Sequence, residues 1–192
     1  MYINLGFQHI SDLAGYDHIV FLLALCAVYS IDQWRRLFVL VTAFTVGHSI
    51  TLALSSFGWV VIPSHIIEFL IPVTIFITAL RNVLVPASDQ PAGARNNITG
   101  HYLMALCFGF IHGMGFSNYF RALMMDSSSI MIPLLGFNLG IEIGQLIVVS
   151  IIVTSASIVV NISRAKHHEW NLFISGAAAG ISIILMNQTA FW

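Results

Sequence analysis

Asp17, His18, His48, Glu68, His112 and Glu142 are ionisable residues set inside stretches that are otherwise almost wholly apolar, and Asn138 and Gln145 stand beside Glu142. Imidazole and carboxylate donors, without paired thiolates, suit nickel, cobalt or zinc, and the affinity order among these metals does not choose one of them. The spacing carries further information. Asn138, Glu142 and Gln145 fall at i, i+4 and i+7, so on a helix they form one polar stripe. Thr45, His48, Ser49 and Thr51 gather around neighbouring turns, and such stripes line a cavity or a polar path. His112 lies in the stretch GFIHGMGF, whose glycines let a neighbouring helix or an ion approach the backbone closely. Cys26 and Cys107 both sit singly in apolar runs, far from the paired spacing of a disulfide framework or a zinc knuckle, and read as packing residues.

The surroundings of these residues follow from composition. Of 192 residues, 58% are hydrophobic and 8% charged, where a soluble domain carries about a quarter charged residues. The chain therefore reads as an integral membrane protein whose first partner is the lipid bilayer. Eight acids and seven bases are thinly spread, with a formal net charge of -1, and no basic surface suggests nucleic acid. An ionisable group in hydrocarbon costs at least a few kcal/mol and normally faces the bundle interior with a partner, so six together require an explanation.

A helix needs about 20 apolar residues to cross the hydrocarbon core. Six stretches meet that need, at 10–30, 37–58, 64–84, 101–122, 130–157 and 170–188, within one all-α integral membrane domain over 1–192. The positions of lysine and arginine orient them. Arg35 and Arg36 lie in the first loop, Arg81 and Arg95 flank the third, and Arg164 and Lys166 lie in the fifth, against Arg121 alone on the other side. This places both termini outside. The N-terminus has neither a basic n-region nor a small-residue cleavage site and reads as a retained first span. Gly136, Gly140 and Gly144, and likewise Gly176 and Gly180, have the four-residue spacing of tight helix contacts. The composition leaves a homo-oligomer open.

Depth then groups the histidines. At 1.5 Å per residue, His48 stands roughly 18 Å above Arg36 and His112 roughly 18 Å above Gly100. His18, counted back from Ile31, lands at nearly the same level, so three helices bring one imidazole each to a shared layer. Glu142 enters from the external side to about mid-depth, and Glu68 lies nearer the outer surface. The expected metal site is His18, His48 and His112 with Asp17 and Glu142, supported by Asn138, Gln145 and Glu68. His9, His65, His101, His167 and His168 fall at span ends or in loops and are set aside.

The segments GYDHIVFLL, TAFTVGHSITL, GFIHGMGF and GFNLGIEIGQL together resemble the HupE/UreJ family of small bacterial membrane proteins, in the family's order and across most of the first five spans. Gly15, Asp17 and His18 match the end of the family's His-Pro-x-x-Gly-x-Asp-His motif, and Phe110, His112 and Gly113 match its Phe-x-His-Gly motif. Ser11 and Asp12 stand where that first motif has His-Pro, with His9 nearby but out of register. The resemblance implies a secondary permease for nickel or cobalt in a bacterial inner membrane. Read from the residues alone, two alternatives stay open. One is an intramembrane zinc-dependent hydrolase acting on a lipid or peptide. There three histidines hold zinc, and Glu142 or Asp17 serves as general base on its bound water. The other is a bundle held together by a structural metal.

Overall fold

With no water to bond them, backbone groups in hydrocarbon must be satisfied within the segment, so long apolar runs fold as helices. The computed structural model describes residues 1–13, 15–85, 95–123 and 130–191. Among them all regular structure is helical: α1 (Tyr2–Ser11), α2 (Asp17–Cys26), α3 (Trp34–Ser56), α4 (Ser64–Leu84), α5 (Arg95–Gly115), α6 (Ser117–Leu123), α7 (Met131–Ser163) and α8 (His167–Gln188). Four segments are long and apolar enough to cross a membrane: α3 with the short 3-10 turn before it (Ile31–Ser56), α4, α7 and α8.

The first expected span, 10–30, is built differently from a single helix. The chain leaves the helix after Ser11, with Asp12 extended, and α2 restarts at Asp17. Asp12, Gly15 and Asp17 are poor helix-interior residues, and an acid at the head of α2 sits favourably on its dipole. Ten residues of α2 cover about 15 Å, half of the hydrocarbon thickness. The fourth expected span also breaks, after Gly115, before α6. At 33 residues α7 runs past the expected end at 157 to Ser163.

Glycines set the closest approaches. A Cβ on Gly47 would meet the carbonyl of Leu106, one on Gly109 that of Phe44, and one on Gly113 that of His48, so α3 and α5 lie parallel with their backbones in contact. The same holds for α1 and α7, where Gly6 abuts Phe137 and Gly140 abuts Ile3 and Phe7, while Gly144 meets Phe7 and Ile10. Thus the expected stripe on α7 is a helix contact, made with α1. Gly176 and Gly180 differ from that expectation, since nothing lies within 4 Å of a Cβ built on either, and they face away from the bundle.

Polar contacts give the remaining registers. Asn82 on α4 donates to the Ala24 carbonyl of α2 at 2.7 Å and to Ser175 of α8 at 3.3 Å, and Asn171 donates back to the Asn82 carbonyl at 3.0 Å. Thr45 on α3 meets Gln145 on α7, and Thr74 on α4 meets His112 on α5. From these registers the chain passes down through α1 and α2, up through α3, down α4, up α5 and α6, down α7 and up α8. The ends of α2, α4 and α7 therefore lie at the same end of the bundle as the starts of α3, α5 and α8, where Tyr29 bonds His101 at 2.8 Å and His167 reaches the Tyr29 carbonyl at 3.2 Å. Arg35, Arg36, Arg81, Arg164 and Lys166 cluster at this basic end. At the opposite end Asn118 bonds Ser64 and His65 packs on Phe191, close to both termini.

Candidate metal centre

The break between α1 and α2 turns the last helical turn of α1 toward the first turn of α2. His9 and His18, nine positions apart in sequence, come to a ring separation of 4.7 Å. His48, brought in by α3, lies 5.9 Å from His9 and 6.5 Å from His18 between ring centres. Each of the three offers a ring nitrogen, and the three nitrogens lie within 4.8 Å of one another. No other group of histidine, cysteine, aspartate and glutamate among the described residues meets that criterion. A first-row ion bonded at about 2.0–2.1 Å to each nitrogen brings them to about 3–3.4 Å, a contraction that side-chain rotation supplies.

Hydrogen bonding fits such an ion. His48 is 0% exposed and both of its ring nitrogens are buried with no partner. His9 Nε2 and His18 Nε2 are buried and unpartnered too. Buried polar atoms are bonded in the great majority of cases, so unbonded ring nitrogens gathered this closely suit a shared electrophilic ligand. Asp17 Oδ1 accepts from His18 Nδ1 at 3.2 Å and from the His18 backbone at 3.0 Å. A carboxylate can only accept, so the ring proton lies on Nδ1 and the lone pair on Nε2, a second-sphere arrangement typical of metal-bound histidine.

The other expected residues occupy distinct places. His112, 1% exposed, stands with its ring centre 5.2 Å from His18 and its Nδ1 buried without a partner. Glu68 and Asp17 line, with His9, His18, His112 and Asp12, a cavity of about 240 Å³ open toward the opposite end. Glu142 lies in the seam between α3 and α7, where its Oε1 accepts from Thr42 at 2.7 Å and its Oε2 is buried without a partner. Gln145 bonds Thr45 at 2.6 Å in the same seam, and Asn138 Oδ1 is unpartnered above it. His9 is the residue that register reasoning missed. Its signal was weak: a histidine on the far side of a short Asp- and Gly-containing break from His18.

Toward the basic end the histidines rest on phenyl rings. Phe21 and Phe44 each stand 5.1 Å from the His112 ring and 4.9 Å from one another, with Phe108 6.2 Å from Phe21. All three are buried, at the top of an apolar cluster that continues through Leu22, Leu25, Leu40 and Val41. An ion among the imidazoles has polar surroundings on one side and a hydrocarbon barrier on the other.

Apolar helices around inward-facing imidazoles define an α-helical membrane protein carrying a candidate metal centre. Residues 1–192, the whole chain, match the family model described as HupE / UreJ protein. The protein belongs to the HupE/UreJ family, and so is a membrane-embedded protein of a metal-transporter-like kind. No curated protein and no solved structure matches the chain.

Proposed function

We propose that the protein is a secondary permease for a divalent transition-metal ion, nickel or cobalt, in a bacterial inner membrane, with six spans and both termini external. The observation that carries this reading is the convergence of His9, His18 and His48, with their inward nitrogens buried and unbonded. The ion enters from outside through the cavity of Asp12, Asp17 and Glu68, whose carboxylates attract a dication. It exchanges its waters for imidazoles, with His112 the next histidine inward. The barrier of Phe21, Phe44 and Phe108 keeps the site closed to the inside until the helices rearrange. A discontinuous span beside the site is the construction common to secondary transporters, because a broken helix supplies irregular backbone only where a cavity is lined by it.

The driving force is electrical. A potential of 100 mV contributes about 2.3 kcal/mol per elementary charge, so about 4.6 kcal/mol for a dication, equivalent to a concentration ratio in the thousands. Ligands held by three separate helix segments suit reversible binding, because a relative shift of the segments loosens them together. Asp17 is engaged with His18, which suits a second-sphere role better than that of a general base on water. The test is flux of Ni²⁺ or Co²⁺ into liposomes containing the purified protein. Transport that stops in His18→Gln and His48→Gln supports the permease. Tightly held stoichiometric zinc with no flux of either ion refutes it in favour of the hydrolase.

A further inference from the structure

Like His18, and unlike His48, His112 has one ring nitrogen already committed. Its Nε2 lies 3.0 Å from Thr74 Oγ1 on α4. That hydroxyl has a single proton and also lies 2.7 Å from the Ile71 carbonyl, which can only accept. The hydroxyl proton therefore goes to Ile71, and the hydroxyl oxygen accepts the Nε2–H of His112. A neutral imidazole with its proton on Nε2 carries its lone pair on Nδ1, the nitrogen that is buried and unbonded. Thr74 is 2% exposed and His112 1% exposed, so water does not compete for either partner. The ring also has little freedom to turn, held between Phe21 and Phe44.

We propose that Thr74 is a positioning residue that holds His112 in its Nε2–H tautomer and so presents Nδ1 as a fourth donor to the ion among His9, His18 and His48. The arrangement mirrors that of His18, where Asp17 takes the Nδ1 proton and frees Nε2. Four histidines then come from α1, α2, α3 and α5, and α4, which contributes no ligand, sets the last of them. This proposal rests on the metal-binding reading above. It adds that a residue that does not itself bind the ion decides which nitrogen of His112 faces it.

The test has two readouts on the protein in detergent micelles. Long-range proton–nitrogen spectra of the metal-free protein, with the His112 signals assigned by their loss in His112→Gln, report the tautomer directly. Wild type and Thr74→Ser are expected to show Nε2–H, and Thr74→Val a mixture or the Nδ1–H form. Competition with a chromophoric chelator then measures Co²⁺ affinity, expected to fall about 10–100-fold in Thr74→Val and to be restored in Thr74→Ser. His112 found as Nδ1–H in wild type, or Thr74→Val with wild-type Co²⁺ affinity and absorption spectrum, overturns the proposal. The wild-type tautomer and Thr74→Ser remain readable if Thr74→Val does not fold. A wild type that binds no Co²⁺ overturns the metal reading itself, whatever the tautomer of His112.

Discussion

An imidazole with both nitrogens buried and unbonded, as at His48, is costly to fold, because each unsatisfied group forfeits about 1–3 kcal/mol of hydration. Replacing it by an apolar residue of similar size removes that cost. His48→Leu is therefore expected to keep or raise the melting temperature of the metal-free protein while abolishing the upward shift that Ni²⁺ gives the wild type. Calorimetry or dye-monitored melting with and without Ni²⁺ checks both halves, and a strongly destabilised metal-free variant contradicts the ligand role. His9 is the sharper case, because its position two residues from the family motif's histidine gave no reason to choose it. With its ring 4.7 Å from His18, His9→Gln should lose metal as fully as His18→Gln. Glu142, bonded to Thr42 in the α3–α7 seam, is expected to tolerate Gln with little loss of Co²⁺ affinity in the same titration.

At the scale of elements, the site depends on backbones that touch. The helices that carry His48 and His112, α3 and α5, touch through their backbones because Gly47, Gly109 and Gly113 leave no side chain between them. Gly113→Val places new atoms on the His48 carbonyl and must push the helices apart, at a cost of typically 1–3 kcal/mol or more. A lower melting temperature together with weakened Co²⁺ binding is the expected result, whereas Gly176→Val, facing open space, should leave binding unchanged. The phenyl barrier is the other device of this scale. Phe44→Leu keeps an apolar residue but removes a ring from the stack on His112, and is expected to raise passive Ni²⁺ leak through proteoliposomes without lowering equilibrium binding. An unchanged leak would place the barrier elsewhere in the apolar cluster.

For the whole molecule, the ends of α2, α4 and α7 meet the starts of α3, α5 and α8 at one end, and Arg35, Arg36, Arg81, Arg164 and Lys166 collect there. If that end faces the cytoplasm, a cysteine at the exposed Trp59 should react with an impermeant maleimide in intact cells, and a cysteine at Lys166 only after permeabilisation. The reverse pattern would invert the orientation. Protons should compete with the metal, since binding requires lone pairs on the histidines. The sign follows directly: lowering pH adds protons to the free site and weakens binding, so initial uptake at low metal concentration should fall with decreasing pH and recover at saturating metal. Uptake rates measured across pH at two metal concentrations decide it.

Hydropathy, basic residues and glycine spacing are sums over short windows, which is why the helical class, the approximate limits of α3, α4 and α8, and the gathering of His18, His48 and His112 in one region were readable along the chain. The third expected span falls at Ser64–Leu84, as α4, because Pro63 before it and the polar sequence after it act locally. The breaks after Ser11 and Gly115 were not readable, since short polar stretches such as Ser11–Asp12 and Ser117–Asn118 also occur within continuous helices, and a broken helix is stable only where neighbouring helices enclose it. Nor could one chain position say that His9 would fold back onto His18, or that Thr74 would stand beside His112. Those pairings are contacts between helices, decided by which faces the glycines allow to approach and by where each buried polar atom can find a partner.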